Sequence, residues 1–158
     1  MNKILIYCLK IIKKSIRSLV KCSSRILAFP VRWYCPRAHI CAILRKLNAE
    51  ALGKVDIDPF YGAPTIILVC SRADNSNCIK DGSLVIANIM LAAHSIGLGS
   101  CWINRCKEML ESEEGRQLAA RLGIPEGYEG VGCVALGYKA HEAPAPAPRK
   151  EDYYRIIS

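Results

Sequence analysis

The chain has 158 residues, of which 51% are hydrophobic and 23% charged; that balance builds a core of single-domain size and excludes a disordered chain. Its net charge of +8 is unevenly placed, since residues 1–54 hold 12 Lys and Arg against the single acid Glu50, and residues 55–158 hold 10 against 13 acids. The basic surplus belongs to the first third, and no basic surface interleaved with aromatics follows it, so nucleic-acid binding is not expected.

From the start of the chain, Leu5, Leu9, Ile12, Ile16 and Val20 recur at helical spacing, with Lys10, Lys13, Lys14, Arg17 and Lys21 on the other side. This pattern predicts an amphipathic helix with a basic face. Two readings stay open for it: an apolar stripe packed on the core with solvated lysines, or a helix lying on an anionic membrane or partner. Between Cys22 and Arg45 no clean period emerges. The apolar run Ile4–Leu9 is far shorter than the ~20 residues a membrane span needs, so no transmembrane segment is expected. We divide the chain into a basic N-terminal segment, 1–46, and a domain, 47–158.

The domain is more regular. Thr65–Cys70, after Pro64, is a continuous β-branched run and predicts a strand buried on both faces. Asp81-Gly82-Ser83 predicts a helix start, with Asp81 or Ser83 as cap. Leu84–Ile96 is apolar nearly all round and is expected to be buried on most sides, ending at Gly97. Ser100–Ile103 predicts a short strand, and Lys107–Leu122 a polar helix restarting at Ser112 and stopping at Gly123-Ile124-Pro125. Gly130–Leu136 predicts another strand. The tail carries alternating Ala and Pro from Ala143 to Pro148, then Arg149-Lys150. Strands alternating with helices give a layered α/β or α+β fold.

Nine cysteines occur with no C-x-x-C pair, so zinc-ligand spacing is missing and no metal site is expected. With no cleavage-site pattern after an apolar segment, the odd thiol count predicts reduced cysteines and a cytoplasmic protein. Cys101, beside Trp102 in an apolar strand, is expected to pack in the core. His39, His94 and His141 have no partners at metal spacing. Neither a P-loop nor a dinucleotide-binding glycine motif is present, and Ser100-Cys101 has no hydrolase signature around it.

Phe60-Tyr61-Gly62-Ala63-Pro64, Gly97-Leu98-Gly99-Ser100-Cys101-Trp102-Ile103, Glu113-Glu114-Gly115, Gly123-Ile124-Pro125, Tyr128-Glu129-Gly130-Val131-Gly132, Leu136-Gly137-Tyr138 and Pro148-Arg149-Lys150 occur in this order. Together they resemble the FMN-dependent nitroreductase family over about residues 47–157. The resemblance implies an α+β fold: a mixed sheet flanked by helices in a three-layer sandwich, with an atypical N-terminal part, since residues 18–46 lack the family's flavin-lining segment. It further implies FMN at a homodimer interface, and ping-pong transfer of electrons from NAD(P)H to a nitroaromatic or quinone-like small molecule. By the same resemblance, Lys13, Ser15 and Arg17 would grip the phosphate and ribityl of FMN. Arg149 would hold the phosphate, with Lys150 beside it. The backbone at Ile103, Asn104 and Arg105 would present amides to the ring edge. No side chain is assigned as a catalytic acid or base, because the cofactor carries the electron chemistry. The alternative is a degenerate, non-catalytic domain of this kind whose basic N-terminal helix contacts a membrane or a partner.

Overall fold

The computed structural model describes residues 31–34, 38–141, 145–148, 150–151 and 155–157. In chain order the elements are β1 (Val31–Tyr34), α1 (Ala38–Leu52), β2 (Thr65–Arg72), α2 (Cys78–Ser95), β3 (Leu98–Ile103), α3 (Cys106–Glu111), α4 (Glu113–Leu122) and β4 (Tyr128–Tyr138). The strands form one sheet in the order β1-β2-β4-β3. Each of these three pairings is antiparallel, so the described strands contain no parallel pair.

The apolar run of β2 does what such a run must: Thr65 through Ser71 is buried, with alternate side chains sent to opposite faces. Ile66, Leu68 and Cys70 join Cys133 and Ala135 of β4 on one face, beneath α1, α3 and α4. Ile67 and Val69 join Val134 and Leu136 on the other, beneath Ile86, Ile89 and Ala93 of α2. Helix, sheet and helix make three layers. A bulge between Val69 and Cys70 leaves Val131 of β4 unpaired, and Val131 packs with the α2 cluster.

Helix α2 begins earlier than Asp81-Gly82-Ser83 predicts. Its N-cap is Asn77, and Asp81 lies in the first turn. Gly82 marks a close approach instead: a Cβ there would stand 2.6 Å from Val131 Cγ2, so glycine lets the helix settle onto the sheet. The expectation of burial on most sides is also corrected. One side of α2 is buried, while Leu84, at 62% exposed, and Leu91, at 67%, stand clear with Ala87 between them.

Residues 31–34 and 38–46 pack with the later elements. Strand β1 pairs with β2, and α1 runs through residue 46 and puts Cys41, Leu44 and Leu47 into the core. The restart at Ser112 is as expected. Its Oγ accepts from the Gly115 N–H at 3.0 Å and donates to the Met109 carbonyl at 2.7 Å, and Gly123, at φ 69°, closes α4. Among the described residues no helix is long and apolar enough to cross a membrane.

On the side of β4 near α3, Lys107 Nζ lies 2.7 Å from Glu129 Oε2, and the Cys78 thiol donates to Glu129 Oε1 at 3.1 Å. Lys107, then Cys78, hold the Glu129 carboxyl below its usual range against burial. A lowered carboxylate pKa adds stability above the unfolded value, about pH 4.3, and this contribution is lost as pH falls through the folded value. Glu129→Gln is therefore expected to be less stable than the wild type at pH 7, with a smaller difference at pH 3. Urea denaturation at the two pH values measures this; a constant difference would contradict it.

Candidate functional site

The sheet's β3 edge leads directly into the predicted ring-edge residues. Strand β3 is hydrogen-bonded to β4 on one side, ending at the pair Ile103↔Cys133. The Ile103 side chain is buried in the α1-face core, so what this position can offer outward is backbone. Asn104 is exposed and Arg105 half-buried. Arg105 adopts φ 67° and ψ 20°, the left-handed region, at the cap position of α3; a non-glycine residue held there carries local strain. Its carbonyl accepts from the Met109 N–H at 3.0 Å. Among the described residues, neither the Asn104 nor the Arg105 N–H enters a turn or cap hydrogen bond.

This turn is held from below. Cys106 is buried against β4, where a Cβ on Gly130 would come within 2.5 Å of the Cys106 carbonyl carbon. From α1, Asn48 Nδ2 donates to the Asn104 carbonyl at 2.8 Å and approaches Met109 Sδ at 3.1 Å. Asn48 is fully buried, and its Oδ1 has no partner among the described residues.

A groove of about 270 Å³ runs along the same strand, lined by Gly99, Ser100 and Cys101 of β3, by residues 60–64, and by Gly137 and Tyr138 at the end of β4. Its size is just below the ~300–1,000 Å³ of a small-molecule pocket, so it accepts part of a cofactor-sized ligand. The wall at 60–64 is a stapled turn. Asp58 accepts from the Phe60 N–H at 2.9 Å and the Gly62 N–H at 2.7 Å, and Arg45 Nε donates to it at 3.1 Å. Burial pushes the Asp58 carboxyl up, but those two N–H groups and Arg45 together bring it below its usual range. Tyr61 and Gly62 both have positive φ, 54° and 67°; glycine adopts this without strain and tyrosine does not. Tyr61 and Tyr138 remain exposed beside the groove.

The thiols offer little chemistry. Cys101 is exposed, contrary to the expected core position, and lines the groove beside residues 60–64. Cys70 and Cys106 are buried together. A hydrogen bond with Cys106, and then burial, push the Cys70 thiol far up; contact with Cys133 does the same to Cys106. A thiol held protonated is a poor nucleophile. Among the described residues no group of three His, Cys, Asp or Glu is placed to hold a metal ion.

Of the predicted cofactor residues, Ile103, Asn104 and Arg105 form one turn. Lys150 is exposed, and no hydrogen bond or ion pair joins it to that turn. Lys13, Ser15, Arg17 and Arg149 lie outside the described residues. For FMN, the described chain supplies a groove with aromatic flanks beside the β3 edge. The candidate phosphate ligands, Lys150 apart, fall outside it. Sequence reading passed over Asn48, although a polar side chain in register with Cys41, Leu44 and Leu47 was a legible signal.

The model of the Nitroreductase family matches residues 18–138. A curated protein of Methanothermobacter thermautotrophicus, named "Putative NADH dehydrogenase/NAD(P)H nitroreductase", is 34% identical over 103 residues, which cover 59% of this chain and 52% of that protein. The chain thus spans about half the length of this curated relative. A nitroreductase with bound FMN from Bacteroides fragilis superposes with a TM-score of 0.72 at 27% identity, over 82% of this chain and 76% of its own. A second FMN-bound nitroreductase, from Desulfitobacterium hafniense, gives 0.75 at 19% identity over 96% and 87%. Nitroreductase CinD from Lactococcus lactis, in complex with 4-nitrophenol, gives 0.69 at 13% identity over 96% and 88%. At such low identities the last two show the shared fold alone.

Proposed function

We propose, since the chain belongs to the nitroreductase family, that it is an FMN-dependent oxidoreductase, which passes electrons from NAD(P)H to nitroaromatic or quinone-like acceptors by a ping-pong mechanism. The observation that supports this reading is the Ile103–Arg105 segment at the end of edge strand β3, where the Ile103 side chain is buried and, among the described residues, the Asn104 and Arg105 N–H groups enter no turn or cap hydrogen bond. When bound, FMN supplies the hydride and electron chemistry. The chain's part is to seat and polarise it. Amides of Asn104 and Arg105 donate to the polar ring edge, where negative charge develops. Arg149 and Lys150, with Lys13, Ser15 and Arg17, bind the phosphate, a guanidinium giving the better two-pronged contact.

The stripe Leu84–Ala87–Leu91 supports the homodimer within the same reading. A two-fold contact would cover this apolar face with its own copy and bring further walls to a groove too small for a whole cofactor. Cys70, Cys78, Cys101, Cys106 and Cys133 are free thiols, which fits a cytoplasmic setting. The test is anaerobic spectrophotometry of the FMN-loaded protein. NADH or NADPH is expected to bleach the visible flavin band, and a nitroaromatic or quinone added afterwards to restore it. A band that no reduced nicotinamide bleaches would overturn the enzyme assignment.

A further inference from the structure

We propose that Asn48 is the positioning residue of the Asn104–Arg105 turn: its buried amide fixes the peptide plane that aims donors at the flavin edge. The inference rests on the flavin reading for its functional half, and on the chain's geometry for the rest.

Asn48 sits on α1 among Cys41, Leu44 and Leu47, all buried. In that setting an asparagine costs stability, because Oδ1 is buried with no partner among the described residues and an orphaned polar atom forfeits its hydration. A leucine has the same branched shape and would leave no orphan in the core. Burial alone therefore gives no reason for the amide. Its one hydrogen bond to the main chain does, because Nδ2 donates to the Asn104 carbonyl at 2.8 Å. The reversed orientation of the amide would set Oδ1 against that carbonyl, acceptor against acceptor.

The Asn104 carbonyl and the Arg105 N–H belong to one planar trans peptide and point in opposite directions. Drawing the carbonyl down onto α1 turns the Arg105 N–H away from α1. The next residue then enters the left-handed region at φ 67°, a conformation that persists only where its surroundings over-determine it. Asn48 supplies that restraint at both ends of the first α3 turn. It holds Asn104 before the turn and touches Sδ of Met109 after it, whose own N–H closes onto the Arg105 carbonyl.

The test compares the full-length wild type with Asn48→Leu and with the double variant Asn48→Leu/Arg105→Gly. Three quantities are read: thermal midpoint, hydrogen exchange of the 103–109 amides without FMN, and FMN affinity by fluorescence quenching. The expected result for Asn48→Leu is a midpoint equal to or above that of the wild type. Faster exchange at 103–109 and FMN binding weakened roughly three- to tenfold should accompany it, the equivalent of one hydrogen bond. Glycine at 105 adopts the left-handed turn without strain, so the double variant should regain part of the lost affinity. Unchanged exchange and unchanged affinity in Asn48→Leu would overturn the proposal. So would an affinity loss that merely follows a fallen midpoint. A wild type that binds no FMN would overturn the flavin reading and the functional half with it, while the exchange data would still decide whether Asn48 holds the turn.

Discussion

Leu84→Asp/Leu91→Asp is expected to give a folded monomer that has lost FMN. Both leucines are mostly exposed in the single chain, so the substitutions disturb little of its own core. Across a two-fold axis they would be buried four times over, at about 1.5–3 kcal/mol each. Replacing them with carboxylates forfeits that burial and places like charges face to face. Light scattering should report half the wild-type mass, circular dichroism an unchanged helix content, and FMN titration at least a tenfold weaker association. A double variant that stays dimeric would show that α2 is not the contact. One that becomes monomeric yet binds FMN normally would show that the groove needs no second copy.

Gly115→Ala should be the most destabilising of the small substitutions. Gly115 is buried in the first turn of α4, and an added Cβ would stand 1.8 Å from the Met109 carbonyl oxygen. That neighbour is backbone and cannot rotate aside. The carbonyl is also fixed by the Ser112 hydroxyl, which in turn caps the Gly115 N–H. Alanine ordinarily favours a helix over glycine by about 1 kcal/mol. Overpacking costs about 1–3 kcal/mol and sometimes more, and a clash with fixed backbone belongs at the upper end. A net loss of about 2 kcal/mol or more would lower the thermal midpoint by roughly 4–8 °C in a chain of this size. A midpoint that rises would mean the α3–α4 corner is looser than these distances state.

Legibility followed the strength of the local signal. Strand β2 reads from its sequence because Thr65–Cys70 is buried on both faces, so every residue is apolar or small and no competing period arises. Ser112 and Gly123 read because capping is local chemistry. Helix α1 did not: Lys46, Glu50 and Arg45 share its turns with Cys41, Leu44 and Leu47, and β1 is only four residues long. The start of α2 was missed because Gly82 resembles a helix boundary while serving as a contact with Val131, a partner far along the chain. Cys101 was misplaced for a related reason, since an apolar neighbourhood in sequence does not tell a core position from one lining a groove. At the candidate site, the order of short motifs pointed to Ile103–Arg105, but the support from Asn48 depends on a 2.8 Å contact between residues far apart in the chain.

Titration of the purified full-length chain with FMN, followed by quenching of flavin fluorescence, bears most directly on whether this edge seats a flavin. Saturable quenching is predicted, with one FMN per chain and two per dimer. Fluorescence that remains that of free FMN at every protein concentration would contradict the assignment.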